Sequence, residues 1–133
     1  MVENKPTVGY WGIRGLGAYV RMTLEAAGKE YNDVQYSNGD DWFKRDKPTI
    51  KVLIPNLPYY LDGDVGISET DSIMRTVARM YKPDLLGKGT ASDQAFVENM
   101  FSFIMKWNGP MRGLCYSEAD DAKRKGVFEN NKF

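Results

Sequence analysis

The sequence predicts an α/β domain over residues 1–89, a small mixed sheet with helices, followed by a partial all-helical domain over residues 90–133. Three observations predict it. Short aromatic and β-branched runs alternate with helical spacing, giving the order β-α-β, a loop, then β-β-α before residue 84. Glycines and prolines stand where those elements must end. From residue 91 onward the apolar spacing is helical alone.

Residues 7–11, Thr-Val-Gly-Tyr-Trp, are short, aromatic and weakly alternating, and read as a strand. Gly12 and Gly15 make the following turn. Apolar residues then recur at Leu16, Tyr19, Val20, Leu24 and Ala27, a helix closed by Gly28. Residues 31–36 read as a second strand through Tyr31, Val34 and Tyr36. Residues 37–51 are polar, carry Asn38-Gly39 and Pro48, and read as a long loop bearing Trp42 and Phe43. Residues 52–61 are strand-like but hold Pro55 and Pro58, which demote a strand to an edge or a special turn. Asp62-Gly63-Asp64 is a hairpin signal before a return strand at residues 65–67. Ser68, Thr70 and Asp71 are cap types before a helix that aligns Ile73, Val77 and Tyr81 and stops at Pro83.

Residues 84–90, with two glycines, read as a linker. Beyond them Phe96, Met100, Phe103 and Ile104 form one stripe. Gly109-Pro110 is expected to interrupt the helix, and Ser117-Glu118-Ala119-Asp120 resembles a capping box. Residues 91–133 hold at most two helices, too few to bury their own apolar faces. The second domain is therefore expected to be incomplete.

The 133 residues contain 42% hydrophobic and 27% charged side chains, a soluble globular profile. Lys plus Arg equals Asp plus Glu, 18 each, which gives no footprint for nucleic acid or an anionic membrane. The polar start predicts no signal peptide, and no apolar run has membrane-helix length. There is no histidine, so a Ser-His-Asp or Cys-His centre cannot exist within the chain. The single cysteine, Cys115, excludes a dithiol pair and a thiolate zinc cluster and suits a reducing compartment.

What remains for chemistry is tyrosine, carboxylates, basic side chains and helix termini. Tyr10 places a hydroxyl at a strand end before a glycine turn, a good place to hold a small anion; a core tyrosine is the ordinary alternative. The Leu57-Pro58 bond is a candidate cis peptide, which would leave the Leu57 backbone able to pair with an extended peptide; a rigid trans turn is the alternative. Glu69-Thr70 sits at a helix N-terminus able to bind a carboxylate, with Glu69 available to an ammonium group; simple capping is the alternative. Trp42 with Lys44, Arg45 and Lys47 offers a second carboxylate grip or else a solvated basic loop. A short peptide with two carboxylates, one ammonium group and an extended backbone would use all of them.

The combination of Gly9-Tyr10-Trp11, Ile13-Arg14-Gly15-Leu16, Pro55-Asn56-Leu57-Pro58-Tyr59, Asp62-Gly63 and Leu114-Cys115-Tyr116-Ser117 resembles the cytosolic glutathione transferases, specifically the mu class. The likeness is strong over residues 8–87 and patchy to residue 117. It implies a thioredoxin-like N-terminal domain, an all-α C-terminal domain, usually a homodimer, and a cytoplasmic location. It implies no metal and no resident cofactor, with glutathione as co-substrate and a hydrophobic electrophile as the second substrate. Tyr10 falls on the catalytic tyrosine that donates a hydrogen bond to the glutathione sulfur. Trp11 and Leu16 line the pocket, and Trp42 and Lys47 fall near the glycyl carboxylate. Asn56, Leu57 and Pro58 present backbone to the cysteinyl unit, Glu69 and Thr70 take the γ-glutamyl end, and Tyr116 faces the electrophile.

The chain departs from the mu pattern in several ways, among them the lack of a clear counterpart, near Phe103 or Lys106, for the aspartate that reaches into the partner subunit's site. Glu69-Thr70 replaces glutamine-serine. Gly12 replaces an aspartate. The stretch between Trp42 and Asn56 is one residue longer, which leaves Arg45 as a rival to Lys47. The chain stops soon after Tyr116, where relatives continue through more helices. Two functions follow: a transferase that conjugates glutathione to electrophiles, or a truncated non-catalytic thioredoxin-like module that binds glutathione or a protein partner.

Overall fold

In a computed structural model, residues 5–116 are described. The predicted capping box at residues 117–120 lies outside them. The chain divides into two compact units, Met1–Gly89 and Thr90–Phe133.

The first unit is built on strands β1 (Thr7–Trp11), β2 (Asn32–Tyr36), β3 (Tyr59–Asp62) and β4 (Val65–Ser68), and helices α1 (Gly17–Ala27) and α2 (Thr70–Tyr81). The sheet order is β2-β1-β3-β4. β1 pairs parallel with β2, antiparallel with β3, and β3 pairs antiparallel with β4. A two-residue turn, Gly63-Asp64, links β3 to β4, as the hairpin signal predicts. α1 ends where the Gly28 N–H bonds back to the Glu25 carbonyl.

Alternation along the strands separates two cores. On one face, Val8 of β1 and Tyr60 of β3 pack against Val20 and Leu24 of α1 and Ile73 and Val77 of α2. Asp62 accepts hydrogen bonds from Tyr60, at 2.9 Å, and from Tyr81, tying the end of α2 to β3. On the other, Tyr36 and Tyr59 pack with Trp42, Val52 and Leu57, all contributed by the long β2–β3 connection.

Gly9 decides how that second core closes. It pairs with Tyr59 across β1 and β3, and the tyrosine ring lies where a side chain at position 9 would stand. A Cβ there would meet Tyr59 Cε1 at 2.1 Å.

Four expectations change. The connection after β2 is not only loop: residues 41–46 form a π-helical turn, Asp41–Asp46, with Asn38 Oδ1 accepting the Asp41 N–H at 3.0 Å. The strand expected over residues 52–61 starts only at Tyr59, because the two prolines lack the N–H a ladder needs. Part of the expected linker is a short 3-10 turn, Pro83–Leu86, with its proline at the helix start. The second unit contains α3 (Ala91–Tyr116), which runs through Gly109-Pro110 without ending. Both residues are exposed, so the Lys106 carbonyl that Pro110 leaves without a donor can be met by water. Phe96, Met100, Phe103 and Ile104 of α3 are exposed, as the stripe without partners predicts. Among the described residues, no helix is long and apolar enough to cross a membrane.

Gly9→Ala is expected to lower unfolding stability by about 1–3 kcal/mol or more, because the Tyr59 ring must leave its place. Urea denaturation checks this, and an unchanged midpoint would mean that the ring has another seat.

Candidate functional site

β1 delivers Tyr10 to the N-terminal end of α1. The side chain is 7% exposed and lies against the glycine turn. A Cβ on Gly15 would stand 2.8 Å from Tyr10 Oη, and one on Gly17 2.6 Å from its Cδ1. Two glycines are therefore what lets the ring reach the helix start. There the Leu16 N–H donates to Tyr10 Oη at 3.2 Å. That bond uses a lone pair on the oxygen and leaves the hydroxyl proton for another acceptor. Trp11, next on the strand, lies edge-on to Tyr36 at 6.2 Å and tilted to Phe43 at 6.1 Å.

The π-helical turn is fastened to the sheet by hydrogen bonds and rings. Trp42 is 2% exposed and stacks on Tyr59, centroids 5.9 Å apart at 18°. Tyr36 donates to Asp46 Oδ2 at 2.8 Å, so the Tyr59 hydroxyl, 3.2 Å away, donates to Tyr36. Burial above all, with the bond it donates to the Asp46 carboxylate, keeps the Tyr36 hydroxyl protonated well above the ordinary tyrosine value. The hydrogen bond from Arg45, then that from Tyr36, holds the Asp46 carboxyl below the ordinary aspartate value.

The three basic residues of this segment are not equivalent. Lys44 pairs with Asp40 at 2.8 Å. Arg45 is held twice, by Asp41 at 2.8 Å and Asp46 at 2.7 Å. Lys47 pairs with no carboxylate among the described residues, and its Nζ lies 5.6 Å from the centroid of the Phe43 ring. The Lys47 N–H bonds to the Trp42 carbonyl five residues back. A π turn holds one more residue than an α turn.

A third group gathers at the start of α2. The Leu57-Pro58 bond is cis. Leu57 and Pro58 are buried, and neither the N–H nor the C=O of Leu57 is hydrogen-bonded within the described residues. Asn56 donates to Glu69 Oε1 at 3.1 Å. Glu69 precedes the helix at φ 69°, ψ 118°, a left-handed conformation that side chains rarely adopt and that costs on the order of 1–3 kcal/mol. The expected caps do not cap. Ser68 donates instead to the Ile54 carbonyl at 2.6 Å, and no side chain caps the first turn of α2. Thr70 is 5% exposed, and its buried Oγ1 has no hydrogen-bond partner. Free N–H groups, a positive helix end and an unsatisfied hydroxyl are the features by which a helix start attracts an anion.

Tyr10, Trp11, Leu16, Trp42 and Leu57 thus share one cluster, while Asn56 meets Glu69, next to Thr70, at the α2 start, and Pro58 is buried behind the cis bond. Lys47 stands at the end of the π turn. Tyr116 closes α3 in the second unit. Sequence reasoning passed over Phe43, Tyr36, Asp46 and Tyr59 as site supports. Ten residues separate Tyr36 from Asp46 and twenty-three separate it from Tyr59, so no local spacing marks these contacts.

A family profile described as glutathione S-transferase, N-terminal domain, matches residues 6–79. The chain is 36% identical over 129 residues to glutathione S-transferase Mu 6 of Mus musculus, covering 92% of this chain and 57% of that protein. It is 39% identical over 114 residues to the class-mu 26 kDa glutathione S-transferase isozyme of Schistosoma mansoni, covering 85% and 57%. The crystal structure of the glutathione S-transferase Blo t 8 superposes with a TM-score of 0.76 at 25% identity, over 93% of this chain and 56% of that one. The chain spans about half the length of the curated relatives it matches.

Two measurements probe the supports. Thr70→Val removes a hydroxyl that has no partner, so unfolding stability is expected to stay level or rise by up to about 1 kcal/mol, read from urea denaturation. A carboxyl held low contributes stability above its unfolded value of about 3.9 and loses it as pH falls through the folded value. Tryptophan emission is therefore expected to hold until pH drops below about 4. Tyr36→Phe lets the Asp46 value rise and should move the acid transition to higher pH, with about 1–3 kcal/mol lost at neutral pH. An acid transition that does not move would separate Tyr36 from Asp46.

Proposed function

Because the chain belongs to the glutathione S-transferase family, we propose that its first unit binds glutathione and activates the thiol for attack on a hydrophobic electrophile. The observation that carries this is the Tyr10 hydroxyl: it accepts the Leu16 N–H at the start of α1 and keeps its own proton to donate.

A free thiol has a pKa near 8.5 and is mostly protonated at neutral pH. A hydroxyl donating to sulfur stabilises the thiolate more than the thiol, so it raises the population of the nucleophile. The thiol proton leaves to solvent. The sulfur then forms a bond to the electrophilic carbon, and the leaving group departs with its bonding pair. In this reading the other residues only bind and orient. The Thr70 hydroxyl and the free N–H groups of α2 take the γ-glutamyl carboxylate, and Glu69 takes the ammonium group. Asn56, Leu57 and Pro58 present backbone to the cysteinyl unit, and Trp11, Leu16 and Trp42 shape the pocket. Lys47 takes the glycyl carboxylate. It is favoured over Arg45 because Arg45 would first have to release two carboxylates. Tyr116, the homodimer, the cytoplasmic location and a detoxification role follow the same reading, with domain limits at residues 1–89 and 90–133.

One observation favours a second reading. The apolar residues Phe96, Met100, Phe103 and Ile104 of α3 are exposed. A module that binds glutathione without turning over an electrophile is consistent with that exposure.

Titration calorimetry with glutathione and conjugation to an aryl halide separate the two. The transferase reading expects binding and turnover, with kcat/KM on the order of a hundredfold lower in Tyr10→Phe. Binding without turnover supports the module, and an equal rate in Tyr10→Phe removes Tyr10 from the mechanism. Thr70→Val, stable as above, is expected to weaken glutathione binding roughly tenfold.

A further inference from the structure

The Lys47 ammonium has an unusual neighbour. No carboxylate of the described residues pairs with it, and it lies over the ring of Phe43, centroid 5.6 Å away. This lies within the roughly 6 Å over which an aromatic face attracts a cation. Phe43 is a large apolar side chain that is 56% exposed. Its ring is not loose: it rests 6.1 Å from the Trp11 ring at 48° and 3.5 Å from where a Cβ on Gly39 would stand. The other two cations of the segment are neutralised by Asp40, Asp41 and Asp46. An aromatic face attracts an ammonium group without cancelling its charge, and the N–H donors turned away from the ring stay open to a ligand. A carboxylate partner would have to be displaced first.

We infer that Phe43 is a positioning residue for the carboxylate-binding site: its ring, packed against Trp11, holds the Lys47 ammonium unneutralised and available to an incoming carboxylate. The inference rests on the proposed glutathione reading and adds a residue to it. The geometry behind it is the π turn, which sends Trp42 into the core, leaves Phe43 outside, and brings Lys47 back over the ring. Without the ring, a lysine side chain samples many rotamers, and holding it in one of them on binding costs affinity.

The experiment uses the 133-residue chain and two probes, glutathione and its glycyl monoethyl ester, which lacks one carboxylate charge. Calorimetry reads the ratio of their affinities in the parent, Phe43→Leu, Phe43→Tyr and Lys47→Gln. The parent is expected to prefer glutathione. Phe43→Leu is expected to cut that preference by roughly two- to fivefold while leaving ester affinity and thermal midpoint unchanged. Phe43→Tyr, which keeps the aromatic face, is expected to retain it. Lys47→Gln is expected to remove the preference, and adding Phe43→Leu to it should then change nothing further. If Phe43→Leu leaves the ratio intact while Lys47→Gln still abolishes it, Phe43 has no positioning role and the glutathione reading stands. If Phe43→Leu weakens both probes equally, its role is structural and the inference fails. If the parent binds neither probe, the glutathione reading fails and takes the inference with it.

Discussion

The second core depends on one missing side chain. Gly9 in β1 lets the Tyr59 ring lie across the sheet, where it packs in one cluster with Tyr36, Trp42, Val52 and Leu57. Trp42 packs flat on Tyr59, and Tyr36 links the Tyr59 hydroxyl to Asp46. These contacts clamp both ends of the π turn to the strands. The clamp is what turns a polar connection of ordinary composition into a rigid wall. It also gives Phe43 and Lys47 a fixed base, although neither is buried.

The polar groups that can act on a ligand sit where strands end and helices begin. Tyr10 Oη meets the start of α1, and Glu69 and Thr70 form the start of α2. Such ends expose N–H groups and partial positive charge, so an anionic ligand finds donors there without any buried ion. The unsatisfied Thr70 hydroxyl and the left-handed Glu69 backbone are both unfavourable in the chain alone. Their position together at an uncapped helix fits a place where a ligand completes the hydrogen bonding.

Much of this is legible in the sequence because the signals are local. The order β-α-β then β-β-α follows from aromatic strands, helical spacing and glycine or proline stops within a few residues of each other. Tyr10 stood out as a hydroxyl before a glycine turn, and Glu69-Thr70 as a helix start. The local reading failed where a tertiary contact overrode composition. Ser68 looked like a cap but is drawn to the Ile54 carbonyl fourteen residues earlier. Pro110 looked like a stop, yet an exposed helix can let water serve the carbonyl it leaves open. Residues 37–51 looked like plain loop because nothing in their composition announces that Trp42 has a ring to stack on.

The sequence by itself determined the element order, the family motifs and the residue types available for chemistry, because periodicity and turn preferences act over a few residues. Only the tertiary structure decided among equals. Three basic residues within four positions look alike in sequence. Asp40, Asp41 and Asp46 neutralise two of them, and the Phe43 ring holds the third. That choice depends on a π turn pinned by Tyr36 and Tyr59, strand residues far away in the chain, and contacts of that range leave no periodic trace in the sequence.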